Sequence, residues 1–130
     1  MTNEAIRLRG IRGATTVGAN TREAILQATT ELLSALIREN SIEQGDVASI
    51  FFTTTPDLTA EFPAVAARQM GWSNAALMCG HEMSVPGSLA MCLRIMMHVN
   101  TATPQDRVRF VYLRGARALR QDLAQESSGT

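Results

Sequence analysis

Residues 76–85, ALMCGHEMSV, place a cysteine, a histidine and a glutamate within four positions. Cys79, His81 and Glu82 are the residue types of thiol nucleophiles, metal sites and acid–base catalysts. A structural metal site needs three or four converging ligands, and the only other histidine, His98, falls in a different element. A catalytic thiol needs a base beside it and an electropositive setting. Without these, Cys79 reads as a small buried hydrophobe. Taken alone, the stretch favours packing over chemistry.

The arginines change that balance. All twelve basic side chains are arginine, which genome composition alone would explain. A sharper reading is that some of them grip carboxylates, because the rigid guanidinium fork matches a carboxylate bidentately. Arg12 lies between GI and GATT on an apparent strand, and Arg94 interrupts the apolar run LAMCLRIMMHV. A charge in such a run is costly unless paired. It is either a structural ion pair, an exposed position, or the wall of a pocket for an anionic ligand. Tyr112, the one tyrosine, lies on a strand near further arginines.

The elements that must position these residues follow from periodicity. Ile6, Leu8 and Ile11 alternate with Arg7, Arg9 and Arg12 as in a strand, while Gly10 and Gly13 mark bulges or close backbone approach. Asn20 with Glu23 resembles a capping box, opening a helix that runs to about Asn40. Ile25, Leu32, Leu33, Leu36 and Ile37 fall on one stripe of that helix. Val47–Thr54, rich in β-branched and aromatic residues, is predicted as a buried strand. A short helix is expected from Ala64 to Met70, stopping at Gly71, then a strand from Ala75 to Cys79. Ser88 to about Val99 reads as a second long helix with Leu89, Cys92, Leu93 and Met96 inward, and Val108–Leu113 as a final strand. The tail QDLAQESSGT is polar and expected to fray from about residue 120.

Strands alternating with helices predict an α/β sandwich in one domain spanning residues 1–130, one sheet face being covered by two long helices. The other face would remain bare, and a homo-oligomer packing sheet against sheet would cover it. Twelve acidic residues cancel the twelve arginines, so no overall field draws the chain to nucleic acid or a membrane surface. The N-terminus lacks the pattern of a signal peptide, no run approaches a membrane span, and the two cysteines form no metal-spaced pair. A soluble, cytosolic, reduced protein is the expectation.

RGIRGATT, TPDLTAEFPAVAAR, CGHEM followed by CLRIMMHVNT, and VRFVYLRGARALRQDL occur in that order over roughly residues 6 to 123. Together they resemble the monofunctional α/β class of chorismate mutase. The resemblance implies a homotrimer of mixed sheets with active sites at subunit interfaces. It also implies conversion of chorismate to prephenate, in phenylalanine and tyrosine biosynthesis, without metal or organic cofactor.

By the same resemblance, Arg12 would hold a substrate carboxylate, Arg94 would face the ether oxygen of the breaking bond, and Glu82 the ring hydroxyl, with Cys79 as its neighbouring polar contact. Tyr112 would reach a carboxylate, and Phe62, Ala64, Leu77, Met78 and Leu119 would wall the pocket. Arg68 and Arg120 match mobile arginines near its entrance. Two positions depart from the family pattern: Val65 stands where relatives carry lysine, and Met78 where a relative has threonine. Trimeric imine deaminases, and a non-catalytic trimer that binds aromatic acids, are the rival expectations for this architecture.

Overall fold

The computed structural model describes residues 5–119 of the 130-residue chain. Five strands and two α-helices follow one another as β1 (Arg7–Thr16), α1 (Arg22–Asn40), β2 (Val47–Thr54), α2 (Ala64–Gln69), β3 (Ala76–His81), β4 (Cys92–Thr101) and β5 (Val111–Tyr112). The strands make one sheet in the order β3-β2-β4-β1-β5. β4 is antiparallel to both its neighbours, whereas β1 with β5 and β2 with β3 are parallel, so the sheet is mixed as expected.

The segment read as a second long helix is the central strand β4. Its apolar stripe at Leu89, Cys92, Leu93 and Met96 satisfies a helical period, but Leu93, Ile95, Met97 and Val99 satisfy a period of two. The latter four are all buried, whereas Leu89 and Met96 of the helical stripe are only partly so. Short apolar runs carry both periods, and the antiparallel ladders to β1 and β2 decide between them. The sheet is therefore covered by one long helix and one short one. Of the final strand expected over residues 108–113, only Val111 and Tyr112 pair.

α1 begins one residue later than the Asn20 capping box required. Thr21 is the N-cap and its hydroxyl accepts the Ala24 N–H at 3.1 Å. Asn20 instead accepts the backbone N–H groups of Thr59 and Ala60 at 2.9 and 3.0 Å, pinning the loop after β2. Ile25, Leu32, Leu33 and Leu36 are fully buried against Ile11, Ile50, Phe52, Leu93, Ile95 and Met97 of the sheet. Each such side chain contributes about 1.5–3 kcal/mol by leaving water.

β1 passes straight through both its glycines, in unbroken register with β4 from Arg7 to Thr16, so neither marks a bulge. Gly13 does mark a close approach. A Cβ there would stand 2.7 Å from the Val111 carbonyl oxygen and 3.0 Å from Leu32 Cδ1. The opposite sheet face is free of α1 and α2 and exposes Leu8, Phe51 and Met78, with the helical turns of residues 114–119 packed beside β5 through Ala116 and Leu119.

Candidate active site

Strand alternation sorts the sheet into two faces. Ile11, Phe52, Leu93, Ile95 and Met97 face the helices, which turns Arg12, Thr53, Arg94 and Met96 to the open face. Arg94 is flanked by Ala14 of β1 and Thr53 of β2. Glu82 follows β3 directly, its N–H bonded to the Thr54 carbonyl at 2.8 Å. Its carboxylate accepts the Thr53 hydroxyl, and Oε2 lies 3.7 Å from Arg94 Nε. This is ion-pair distance but not a hydrogen bond.

Both open-face arginines have a donor without a partner among the described residues. The Nε atoms of Arg12 and Arg94 are buried and find no hydrogen-bond partner among the described residues. An unpaired buried donor is costly, and each could donate to an approaching acceptor oxygen. The Arg12 guanidinium is also stacked over Phe110, 5.2 Å from the ring centroid. Tyr112 is 9% exposed and joins Ala14, Cys92 and Ala116 in a small cluster with Leu89 and Leu119 packed against it. Arg12, Arg94, Glu82, Tyr112 and Leu119 thus belong to one side of one chain.

The remaining candidates gather elsewhere. Phe62 and Cys79 border a groove of about 370 Å³ with Thr54, Leu58, Pro63 and His81. Leu77 and Cys79 pack on the main core, Ala64 is buried in α2, and Arg68 borders a second groove with Trp72 and Leu77. Met78, 63% exposed, is on the open face toward the β3 edge, opposite Leu77 in direction. Arg120 lies outside the described residues. One chain therefore gathers Arg12, Arg94, Glu82, Tyr112 and Leu119, and leaves Phe62, Ala64, Arg68, Leu77 and Cys79 on another surface.

The opening triad of residue types is likewise divided. His81 Nδ1 meets Thr54 Oγ1 at 3.1 Å, whereas Glu82 bonds Thr53, and adjacent strand residues face opposite ways. Cys79 and Glu82 do not meet within the chain. Burial pushes both thiols up from their ordinary range. At Cys79 the Ala64 N–H and Arg68 pull partly back, and at Cys92 Arg94 does. A raised thiol is the opposite of the lowered value that a cysteine nucleophile uses.

Three residues here escaped sequence reasoning. Thr53 is one of three consecutive threonines with nothing to single it out, and Cys92 had been assigned to a helix stripe. Phe110 had a usable signal: it stands two residues before Tyr112, hence on the same face.

Comparison with known proteins gives this geometry a context. The family model for chorismate mutase type I matches residues 8–123. The chorismate mutase AroH of Bacillus subtilis (strain 168) is 48% identical over 118 residues, covering 90% of this chain and 93% of its own. That of Thermus thermophilus is 52% identical over 117 residues, covering 89% and 96%. A solved chorismate mutase from Clostridium thermocellum superposes with a TM-score of 0.83 at 51% identity, over 84% of this chain and 97% of that one. The mixed sheet, the arginine pair and these relatives agree, and the chain belongs to the type I chorismate mutase family.

Proposed function

We propose that this single-domain chain catalyses the rearrangement of chorismate to prephenate, at sites completed where copies of the chain meet. The observation that carries the reading is the pair of buried, unpartnered guanidinium Nε donors of Arg12 and Arg94 on a face with Glu82. The substrate has two carboxylates and an ether oxygen, all acceptors. The reaction shifts the substrate's own bonds in one concerted step, so it asks for no nucleophile and no proton transfer.

Two tasks fall to the protein. The first is to hold the enolpyruvyl arm over the ring in its reactive conformation, an orientation effect that can be large. Arg12, steadied on Phe110, and Tyr112 suit a carboxylate. The second is charge: the C–O bond breaks ahead of C–C formation, leaving the ether oxygen negative and the ring positive. A fixed cation at that oxygen stabilises the transition state more than the ground state. Arg94 takes that role and Glu82 balances the ring.

The assembly we propose is a homotrimer with sheets packed together. Its support is the sheet face that α1 and α2 leave uncovered, exposing Leu8, Phe51 and Met78, and the separation of the Phe62–Cys79 groove from the arginine pair. A neighbouring copy would supply Phe62, Ala64, Leu77, Cys79 and Arg68 to complete the pocket. Among the described residues no helix is long and apolar enough to cross a membrane, and both cysteines are free. These fit a cytoplasmic enzyme.

The test is loss of chorismate absorbance on adding purified protein in chelator-containing buffer, alongside sedimentation velocity. Saturable turnover to prephenate by a trimer is expected. A folded trimer without turnover would overturn the assignment and favour an imine deaminase or an aromatic-acid-binding protein. Phe51→Glu and Met78→Glu should give folded monomers with little activity.

A further inference from the structure

Thr53 donates to the carboxylate oxygen of Glu82 that lies nearest Arg94. It is also the in-register neighbour of Arg94 on one side and of Gly80, two residues before Glu82, on the other. We propose that Thr53 is a positioning residue, whose hydroxyl ties back Glu82 so that the Arg94 Nε–H stays free for substrate. The proposal deepens the chorismate mutase reading and rests on it.

Arg94 Nε is buried and has no hydrogen-bond partner among the described residues, and Glu82 Oε2 is 3.7 Å away. An arginine and a carboxylate left to themselves close to about 2.8 Å and form a charge-assisted hydrogen bond. Closure would satisfy the orphan donor and cancel much of the charge needed at the ether oxygen. What opposes it is visible. The Glu82 backbone is fixed by its N–H bond to the Thr54 carbonyl, and its Oε2 is engaged by Thr53 Oγ1. The threonine thus keeps the two charges apart, and Arg94 offers substrate a buried Nε–H that Glu82 has not taken. Preorganisation of this kind lowers the barrier without reorganisation during the reaction.

Valine replaces threonine's hydroxyl by a methyl group and keeps its β-branched fit to the strand, so Thr53→Val separates the hydrogen bond from the fold. Thr53→Ser keeps the hydroxyl. Two quantities are measured on the full chain: kcat/KM for chorismate, and the position of the Arg94 Nε–H resonance in the substrate-free protein by 15N NMR. Thr53→Val should lower kcat/KM about 10- to 100-fold, the weight of one hydrogen bond to a charged group, and move the Arg94 resonance as the pair closes. Thr53→Ser should restore both to near wild-type values. In a Glu82→Ala background the valine change should leave the resonance where it was.

A folded Thr53→Val protein with an unmoved resonance would overturn the proposal, as would serine failing to restore it. If the wild-type protein does not turn over chorismate, the functional reading falls on that result. The resonance still decides what Thr53 does.

Discussion

Asp57 Oδ2 accepts the backbone N–H of Met91 at 2.9 Å, and Met91 is a non-glycine residue held at φ 50°. The other carboxylate oxygen accepts the Thr55 hydroxyl. Asp57 therefore fastens the strained turn at Met91, three residues before Arg94, to the end of β2, where Thr55 Oγ1 accepts the Cys92 N–H.

The Thr55 hydroxyl, then the Met91 N–H, hold the Asp57 carboxyl below the usual carboxylate range. Glu61 shifts the same way, through the Phe62 N–H and then Arg22. A lowered folded value means that the unfolded chain binds the proton more readily. The stability these groups contribute is complete above their ordinary value of about 4 and is lost as pH falls through the lower folded value. Thermal midpoints should be flat from neutral pH to about 4.5 and then decline. Asp57→Asn should lower the neutral-pH midpoint, by about 0.5–1.5 kcal/mol in stability, because one carboxylate hydrogen bond is lost. It should also blunt the acid decline, which calorimetry across pH would show.

Arg94→Ala should lower kcat about 10²- to 10³-fold while KM moves far less, because the group acts on charge that develops during the reaction. Arg94→Lys should also be poor, since the point charge of an ammonium loses the fork. Single-turnover kinetics showing only weaker binding in Arg94→Ala would contradict the role given to it.

Cys79→Ala should keep most of the activity. Its thiol is raised by burial and faces away from Glu82. Chorismate turnover, with thiol alkylation at neutral pH as a second readout, checks this. A folded but inactive variant would restore the nucleophile reading.

Gly13→Ala should destabilise the fold rather than the chemistry. The added methyl meets the Val111 carbonyl oxygen at 2.7 Å, which is backbone and cannot swing aside. A loss of about 1–3 kcal/mol, the usual cost of overpacking, should appear in denaturant unfolding. Gly10→Ala, whose Cβ meets nothing nearer than Met96 Sδ at 3.7 Å, should be mild by comparison.

What was legible in the sequence depended on how local the signal is. β2 was readable over its whole length because β-branched and aromatic residues crowd between turn formers, and α1 was readable to within its cap. β4 was not, since its apolar residues fit two periods and only the partners on either side choose between them. Arg12, Glu82, Arg94 and Tyr112 were nameable from their motifs, and the structure gathers them on one side. Thr53 was invisible because its meaning is a matter of register: it faces Arg94 only once β2 and β4 are paired. The gap between Cys79 and Glu82 follows from strand direction, which three residues of sequence do not convey.

The strand order has a consequence for how the protein is made. During synthesis β1, β2 and β3 all leave the ribosome before β4, yet β4 is the strand that joins β2 to β1. A nascent chain ending before residue 92 can pair β2 with β3, but β1 has neither of its partners, β4 and β5, to pair with. Its backbone donors and acceptors stay open for the whole time that α1 through β3 are being translated. Ribosome pausing within the codons for residues 82–101 would prolong the interval in which β1 is most prone to pair with the wrong strand.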